Sequence, residues 1–287
     1  MSHTPHQAWS MEGAKSVLIF GMSGLGKTRI ASILRDSGDW FHYSVDYRIG
    51  TRYMGEHIAD NFKREAMQVP LLRELLLSDS VMIQSNITFE NLAPLSTYLG
   101  KPGNPELGGL AFAEYMKRQA QHRTAEIATL LDTRHFNKRA QDLYGYNNFI
   151  CDTGGSICEV VDPNDPNDPV LTALSEDHVM VWIEGSDAHT ADLVRRFDKA
   201  PKPMYYQPDF LEDAWTTYLE TTGLNETAVD PDAFVRWTFA RALDHRKPRY
   251  AAMARNWGIT VSAQDIASVQ SAGDFNALIN ATLGKQH

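Results

Sequence analysis

The sequence predicts an α/β fold in which helices cover both faces of a central parallel sheet. Three observations carry that expectation. The apolar run Val17-Leu18-Ile19-Phe20 leads through a glycine-rich loop into the helical pattern Arg29-Ile30-Ala31-Ser32-Ile33-Leu34. Two later runs, Asn148-Phe149-Ile150-Cys151-Asp152 and Val179-Met180-Val181-Trp182-Ile183-Glu184, have the length and composition of buried strands. Between these runs the pattern is helical, which is how parallel strands are joined.

The first unit is the most informative. Gly21-Met22-Ser23-Gly24-Leu25-Gly26-Lys27-Thr28 is a complete G-x-x-x-x-G-K-[ST] pattern, and it sits between a strand and a helix as a phosphate-binding loop requires. Glycines let successive backbone N–H groups turn inward, and the helix that follows points its positive end at the same spot. Lys27 supplies a mobile cation for β- and γ-phosphates, and Thr28 a hydroxyl for Mg²⁺. The expected nucleotide-binding residues are therefore Gly21, Ser23, Gly24, Leu25, Gly26, Lys27 and Thr28, with ATP and Mg²⁺ as the expected cofactors.

A helix stop at Asp36-Ser37-Gly38-Asp39 precedes a second strand-like run, Trp40 to Asp46. Ligands of open α/β sheets lie at the carboxyl ends of strands, so Asp46 is a candidate for the substrate or the metal; the alternative, which can coexist with it, is the N-cap of the next helix. Trp40, Phe41 and Tyr43 are expected in the core. Residues 50–146 are mostly helical in pattern, with Val81-Met82-Ile83 open between strand and loop. Lys101-Pro102-Gly103-Asn104-Pro105 is a turn, and a long helix is expected from Leu107 to Leu131. On it, Arg123 and Glu126 have the spacing of a surface pair.

The strand at 148–152 ends in Asp152 and runs into Gly154-Gly155-Ser156. An acid at the end of a strand beside the phosphate-loop strand belongs in the Mg²⁺ shell, and paired glycines let backbone approach a ligand; the alternative is a tight surface turn. The Asp/Pro/Asn run 162–169 reads as a solvated loop. A helix from Thr190 to Phe197 ends in Arg195-Arg196, and the proline-stiffened basic stretch 198–204 reads either as a lid over a nucleotide site or as a surface connector. Three helical stretches follow in 209–245. His245-Arg246-Lys247-Pro248-Arg249-Tyr250 opens a last helical region that ends near Leu283.

Composition bounds the partners. The chain has 287 residues and a formal net charge of −9, which argues against a nucleic-acid binder. No run approaches a membrane span, and the N-terminus lacks the pattern of a secretory signal. Two cysteines, Cys151 and Cys158, make no disulfide framework or zinc spacing. A soluble, reduced, cytoplasmic protein is expected, of unspecified oligomeric state. Residues 1–14 read as a flexible arm. Residues 15–287 read as one αβα domain with helical insertions near 55–115 and 206–245 and a lid near 195–208.

Taken in order, these pieces resemble the shikimate kinase family of the nucleoside-monophosphate-kinase-like P-loop kinases. The family's acidic D-x-D after the second strand has Ser44-Val45-Asp46 in its place, and its F-R-x-x-E segment has His122-Arg123-Thr124-Ala125-Glu126. Its glycine turn is matched by Gly154-Gly155-Ser156. Its lid is matched by Arg195 and by Lys202-Pro203-Met204-Tyr205, and its R-x-P-x-Y by Arg246-Lys247-Pro248-Arg249-Tyr250. The resemblance implies a three-layer αβα P-loop kinase fold and transfer of the γ-phosphoryl group of ATP to a hydroxyl of a small, anionic acceptor. It implies that Asp46 orients that hydroxyl, that Arg123 and Arg246 clamp the acceptor's acid together with Gly154, Gly155 and Ser156, and that Lys27, Arg195 and Lys202 carry the charge of the transfer. Thr28, Asp46 and Asp152 would surround Mg²⁺. The first acid, the third glycine and the lid arginine differ from the family pattern, so the resemblance implies the reaction more strongly than it implies shikimate. Two other readings remain open: a regulatory or partner-binding ATPase whose insertions bind protein, and a nucleoside or nucleotide kinase.

Overall fold

The computed structural model describes Trp9 and residues 13–285. Its centre is a five-stranded, all-parallel sheet in the order β2-β3-β1-β4-β5, formed by β1 (Ser16–Phe20), β2 (Trp40–Ser44), β3 (Asn148–Asp152), β4 (Val179–Glu184) and β5 (Gly258–Ser262). This is a three-layer α/β fold. The helices in chain order are α1 (Lys27–Asp36), α2 (Val45–Arg48), α3 (Gly55–Ala66), α4 (Pro70–Leu77), α5 (Ala93–Leu99), α6 (Phe112–Leu131), α7 (Thr133–Tyr144), α8 (Ile157–Val160), α9 (Pro169–Asp177), α10 (Asp187–Lys199), α11 (Pro208–Thr222), α12 (Pro231–Trp257), α13 (Ala263–Ser268) and α14 (Ala272–Leu283). Among the described residues, no helix is long and apolar enough to cross a membrane.

The chain divides into two compact units. The first comprises Met1–Val45, Ile127–Pro201 and Arg236–His287, and the second Asp46–Glu126 and Lys202–Val235. The sheet belongs to the first. Its strands alternate faces, and both faces are covered, so β1, β3 and β4 read as unbroken apolar runs. In β2, Trp40 meets Phe275 of α14 edge-on at 6.2 Å, whereas Tyr43 on the opposite face packs on Phe136 of α7 and on Phe149 of β3. Trp9 is buried and its ring contacts Trp40 and Phe275, while its indole N–H donates to Asn280. The rest of the expected N-terminal arm, residues 1–8 and 10–12, lies outside the described residues.

The second unit is helical. Arg118 of α6 is buried, and its guanidinium donates to the Tyr98 carbonyl, to Asn61 and to Glu114. Gln119 holds the segment that follows Lys202 by donating to Met204 O and accepting from Tyr206 N. Phe112 stacks on Trp215, whose ring also meets Phe234 edge-on.

Several expectations need correction. The second strand stops at Ser44, and Asp46 stands in the first turn of α2. The long helix begins at Phe112, five residues later than its apolar pattern suggested, and Val81-Met82-Ile83, which the sequence leaves open between strand and loop, is loop. Glu126 is not a surface partner of Arg123: it is fully buried and faces His122 one turn back at 3.6 Å. Arg246 to Tyr250 does not open a helix but lies inside α12, which contains Pro248. After α12 the chain forms an unexpected strand, β5, along β4. Gly258 begins it because a Cβ there would meet Met180 O at 2.2 Å.

Candidate nucleotide and phosphoryl-transfer site

The glycine loop joins β1, the middle strand, to α1. Gly21 has φ +138 and leaves no room for a side chain, since a Cβ would lie 2.7 Å from Ile183 O. Gly26 caps α1 in the left-handed region with no side-chain cap, and no acid occupies the first turn. The first N–H groups of α1 therefore point at an uncompensated anion site. Leu25 anchors the loop: it is buried, and its Cδ atoms approach Gly185. Ser23 and Gly24 stay exposed. Lys27 is buried and folds back on the loop, its Nζ donating to Gly21 O at 2.8 Å and Met22 O at 3.0 Å.

Asp152 ends β3 in register with Ile19 of β1 and Ser44 of β2. That register brings its carboxylate to the loop, where Thr28 hydrogen-bonds it and the charge of Lys27 reaches it. His42 Nε2 is 4.0 Å from Asp152 Oδ2. Burial raises the Asp152 carboxyl above its ordinary value, and Lys27 and the Thr28 hydrogen bond oppose that rise without cancelling it. A threonine hydroxyl and a carboxylate are the oxygen donors Mg²⁺ takes when it keeps several waters and binds a phosphate, so Thr28 and Asp152 fit that ion. Among the described residues no group of three or more His, Cys, Asp or Glu side chains could hold a metal alone.

Beyond Asp152, Thr153 donates to Ile19 O, and the chain turns through Gly154, which is buried, to Gly155 and Ser156. The point where a Gly155 Cβ would sit is 3.7 Å from Ser23 N and 3.9 Å from Arg246 Nη1. Arg246 is buried, and its Nε donates to Glu159 Oε1 at 2.6 Å; Glu159 Oε2 lies 3.2 Å from His245 Nε2. Burial alone would raise the Glu159 carboxyl. The His245 hydrogen bond and the Arg246 charge outweigh it and hold the group below its ordinary value. Arg246 is correspondingly raised, the charge of Glu159 overriding its desolvation. Its neighbours complete a clamp: Arg249 donates to the carbonyls of Cys158 and Val161, and Tyr250 Oη donates to Gly155 O.

At the other side of the loop stands α10. Arg195 is exposed and bound to Asp192 at 2.8 Å. Arg196 also pairs with Asp192, and its Nη2 lies 2.9 Å from where a Gly24 Cβ would be. Of the two arginines, Arg196 is the one against the phosphate loop.

No family model matches this sequence, and no curated protein matches it. Among solved structures, the crystal structure of shikimate kinase from Bacteroides thetaiotaomicron is similar at 14% identity over 94% of this chain and 95% of that one, with a TM-score of 0.36. So low a score adds nothing to what the strand order shows.

The first unit thus gathers Gly21–Thr28, Asp152, Gly154, Gly155, Ser156, Arg246 and, through Arg196, the end of α10. Arg195 belongs to the same helix and points to Asp192. The second unit carries Asp46, half-buried on α2; Arg123, exposed on α6; and Lys202, exposed before the segment held by Gln119. Sequence reasoning missed Arg196, Glu159 and His42. A signal existed for Glu159, the one charge in the apolar run Ile157–Val161. The two cysteines are buried and free; burial pushes the Cys158 thiol up to about 12, which leaves no thiolate nucleophile there at neutral pH.

Proposed function

We propose that the protein is an ATP-dependent kinase that transfers the γ-phosphoryl group to a hydroxyl of a small, anionic metabolite. One observation carries the reading: a complete phosphate loop has Asp152 hydrogen-bonded to its Thr28, and the turn at Gly155 lies near both Ser23 N and Arg246 Nη1. Phosphoryl transfer asks mainly for positioning and charge. The loop N–H groups and the α1 terminus would hold the phosphates, and Lys27 would leave Gly21 O and Met22 O for the β- and γ-oxygens. Mg²⁺, held by Thr28 and Asp152, would neutralise those oxygens. Arg196 would cover the loop at Gly24. Arg246, with Gly154, Gly155 and Ser156, would bind the acceptor's acid bidentately. For Asp46, Arg123 and Lys202, and for a lid near 195–208, the proposal rests on sequence order alone, as does a cytoplasmic setting.

ADP release is the test, measured with and without a panel of small hydroxycarboxylates and phosphomonoesters that includes shikimate. Release that rises with an acceptor supports the kinase. Removing one preorganised donor costs about 10²–10³-fold, so Arg196→Ala should slow transfer by that order and Arg195→Ala by less than about threefold. Equal effects would sink the assignment of Arg196.

Asp152→Asn should weaken Mg²⁺ by about 10–100-fold. It should also raise the melting temperature of the nucleotide-free protein near pH 7. A carboxyl raised on folding favours the folded state below its unfolded value and loses that contribution as pH rises through its folded value, and asparagine has no such loss. A variant that melts lower than wild type near pH 7 would contradict the burial argument.

A second reading, a partner-activated ATPase, is favoured by one feature. In and just after α4, Leu71, Leu77 and Met82 are 64%, 72% and 75% exposed. ADP release that ignores every acceptor and rises with a protein partner would select it.

A further inference from the structure

Glu159 is a fully buried carboxylate to which the reading above gives no part. It engages Arg246 through Nε, one edge of the guanidinium. That choice fixes the plane of the fork. Arg246 Nη1 then lies within 4 Å of the same point beside Gly155 that Ser23 N approaches. Arg249 and Tyr250, on the next turn, tie Cys158, Val161 and Gly155 to the same helix, so the acid and the glycine turn share one framework with the arginine.

We propose that Glu159 is a positioning residue for phosphoryl transfer, setting the angle at which Arg246 presents its Nη edge to the anionic group of the acceptor. This rests on the reading of Arg246 as an acceptor ligand. A guanidinium held in one plane by a charged partner loses little further freedom on binding, so affinity is gained through preorganisation. Glutamine in place of Glu159 keeps an oxygen but removes the charge that makes the bond strong. The acceptor then binds a fork that is held less firmly.

The experiment uses the full chain and the best acceptor from a panel of small hydroxycarboxylates and phosphomonoesters. Glu159→Gln should raise the acceptor KM by about tenfold or more, change kcat less than about threefold and leave the ATP KM within about twofold. Glu159→Asp, which retains the charge but not the reach, should fall between; it also serves if the glutamine protein does not fold. A purely structural role would instead move both KM values together, and that pattern overturns the proposal. So does an acceptor KM equal to wild type. If wild type phosphorylates nothing in the panel and Arg246→Lys leaves ATP turnover unchanged, the kinase reading itself falls and takes this proposal with it. That outcome is recognised without any Glu159 variant.

Discussion

Replacing Lys27 with methionine is expected to slow phosphoryl transfer by about 10²–10³-fold, the scale of one preorganised charged donor lost from a site of this kind. The side chain is well placed for it. Its Nζ rests on Gly21 O and Met22 O, the first carbonyls of the loop, so it stands beside the phosphate path before any nucleotide arrives. Methionine keeps the bulk of the stem and loses the ammonium. The same change exposes the coupling to Asp152. Lys27 opposes the rise that burial imposes on that carboxyl, so its removal lets the rise grow. A larger rise means that more of the variant's stability is present at acid pH and lost as pH increases through the folded value. Single-turnover transfer from MgATP measures the first effect. Thermal melts at pH 5 and pH 8 measure the second: the variant should lose more between them than wild type does. Full transfer by Lys27→Met would remove the loop from the chemistry.

The phosphate loop was legible in the sequence because all of its requirements lie in eight contiguous residues with a strand before and a helix after. Likewise β1, β3 and β4 were legible: they are buried on both faces, and a doubly buried strand is apolar throughout. The edge strand β5 was not, because only Ile259 and Val261 face the interior and the strand starts directly from α12. Pro248 misled for a physical reason. Proline favours the first turn of a helix, yet here it sits in the interior of α12, where the missing N–H removes one helical bond. In the site, which of two adjacent arginines meets the loop depends on helix phase, about 100° per residue, and no pattern of residue types encodes that. The Arg246–Glu159 pair joins residues from α12 and α8, far apart in the chain, so only the fold reveals it.

That pair carries the second large effect, this time on stability. Arg246→Met should destabilise the protein by about 3–5 kcal/mol, because it leaves the fully buried Glu159 without its arginine partner. Adding Glu159→Gln should restore most of the loss, since the uncompensated charge is gone and the remaining polar group still lies beside His245. On the proposed reading of Arg246 as an acceptor ligand, the double variant should nevertheless transfer no faster than Arg246→Met. The pH dependence separates the two states of the pair. In wild type the Glu159 carboxyl is held below its ordinary value, so its contribution is fully present above the usual carboxylate range and is lost as pH falls through the lowered value. Without Arg246, only the His245 contact opposes the burial that raises the carboxyl, so the contribution of Glu159 above the usual carboxylate range shrinks. The penalty of Arg246→Met should therefore be larger at pH 7 than at pH 4. Denaturant titrations of wild type, both single variants and the double variant at those two pH values close the cycle. A penalty that does not depend on pH would mean that Arg246 stabilises α8 by packing alone. A double variant no more stable than Arg246→Met would mean that the charge of Glu159 is not what the arginine offsets.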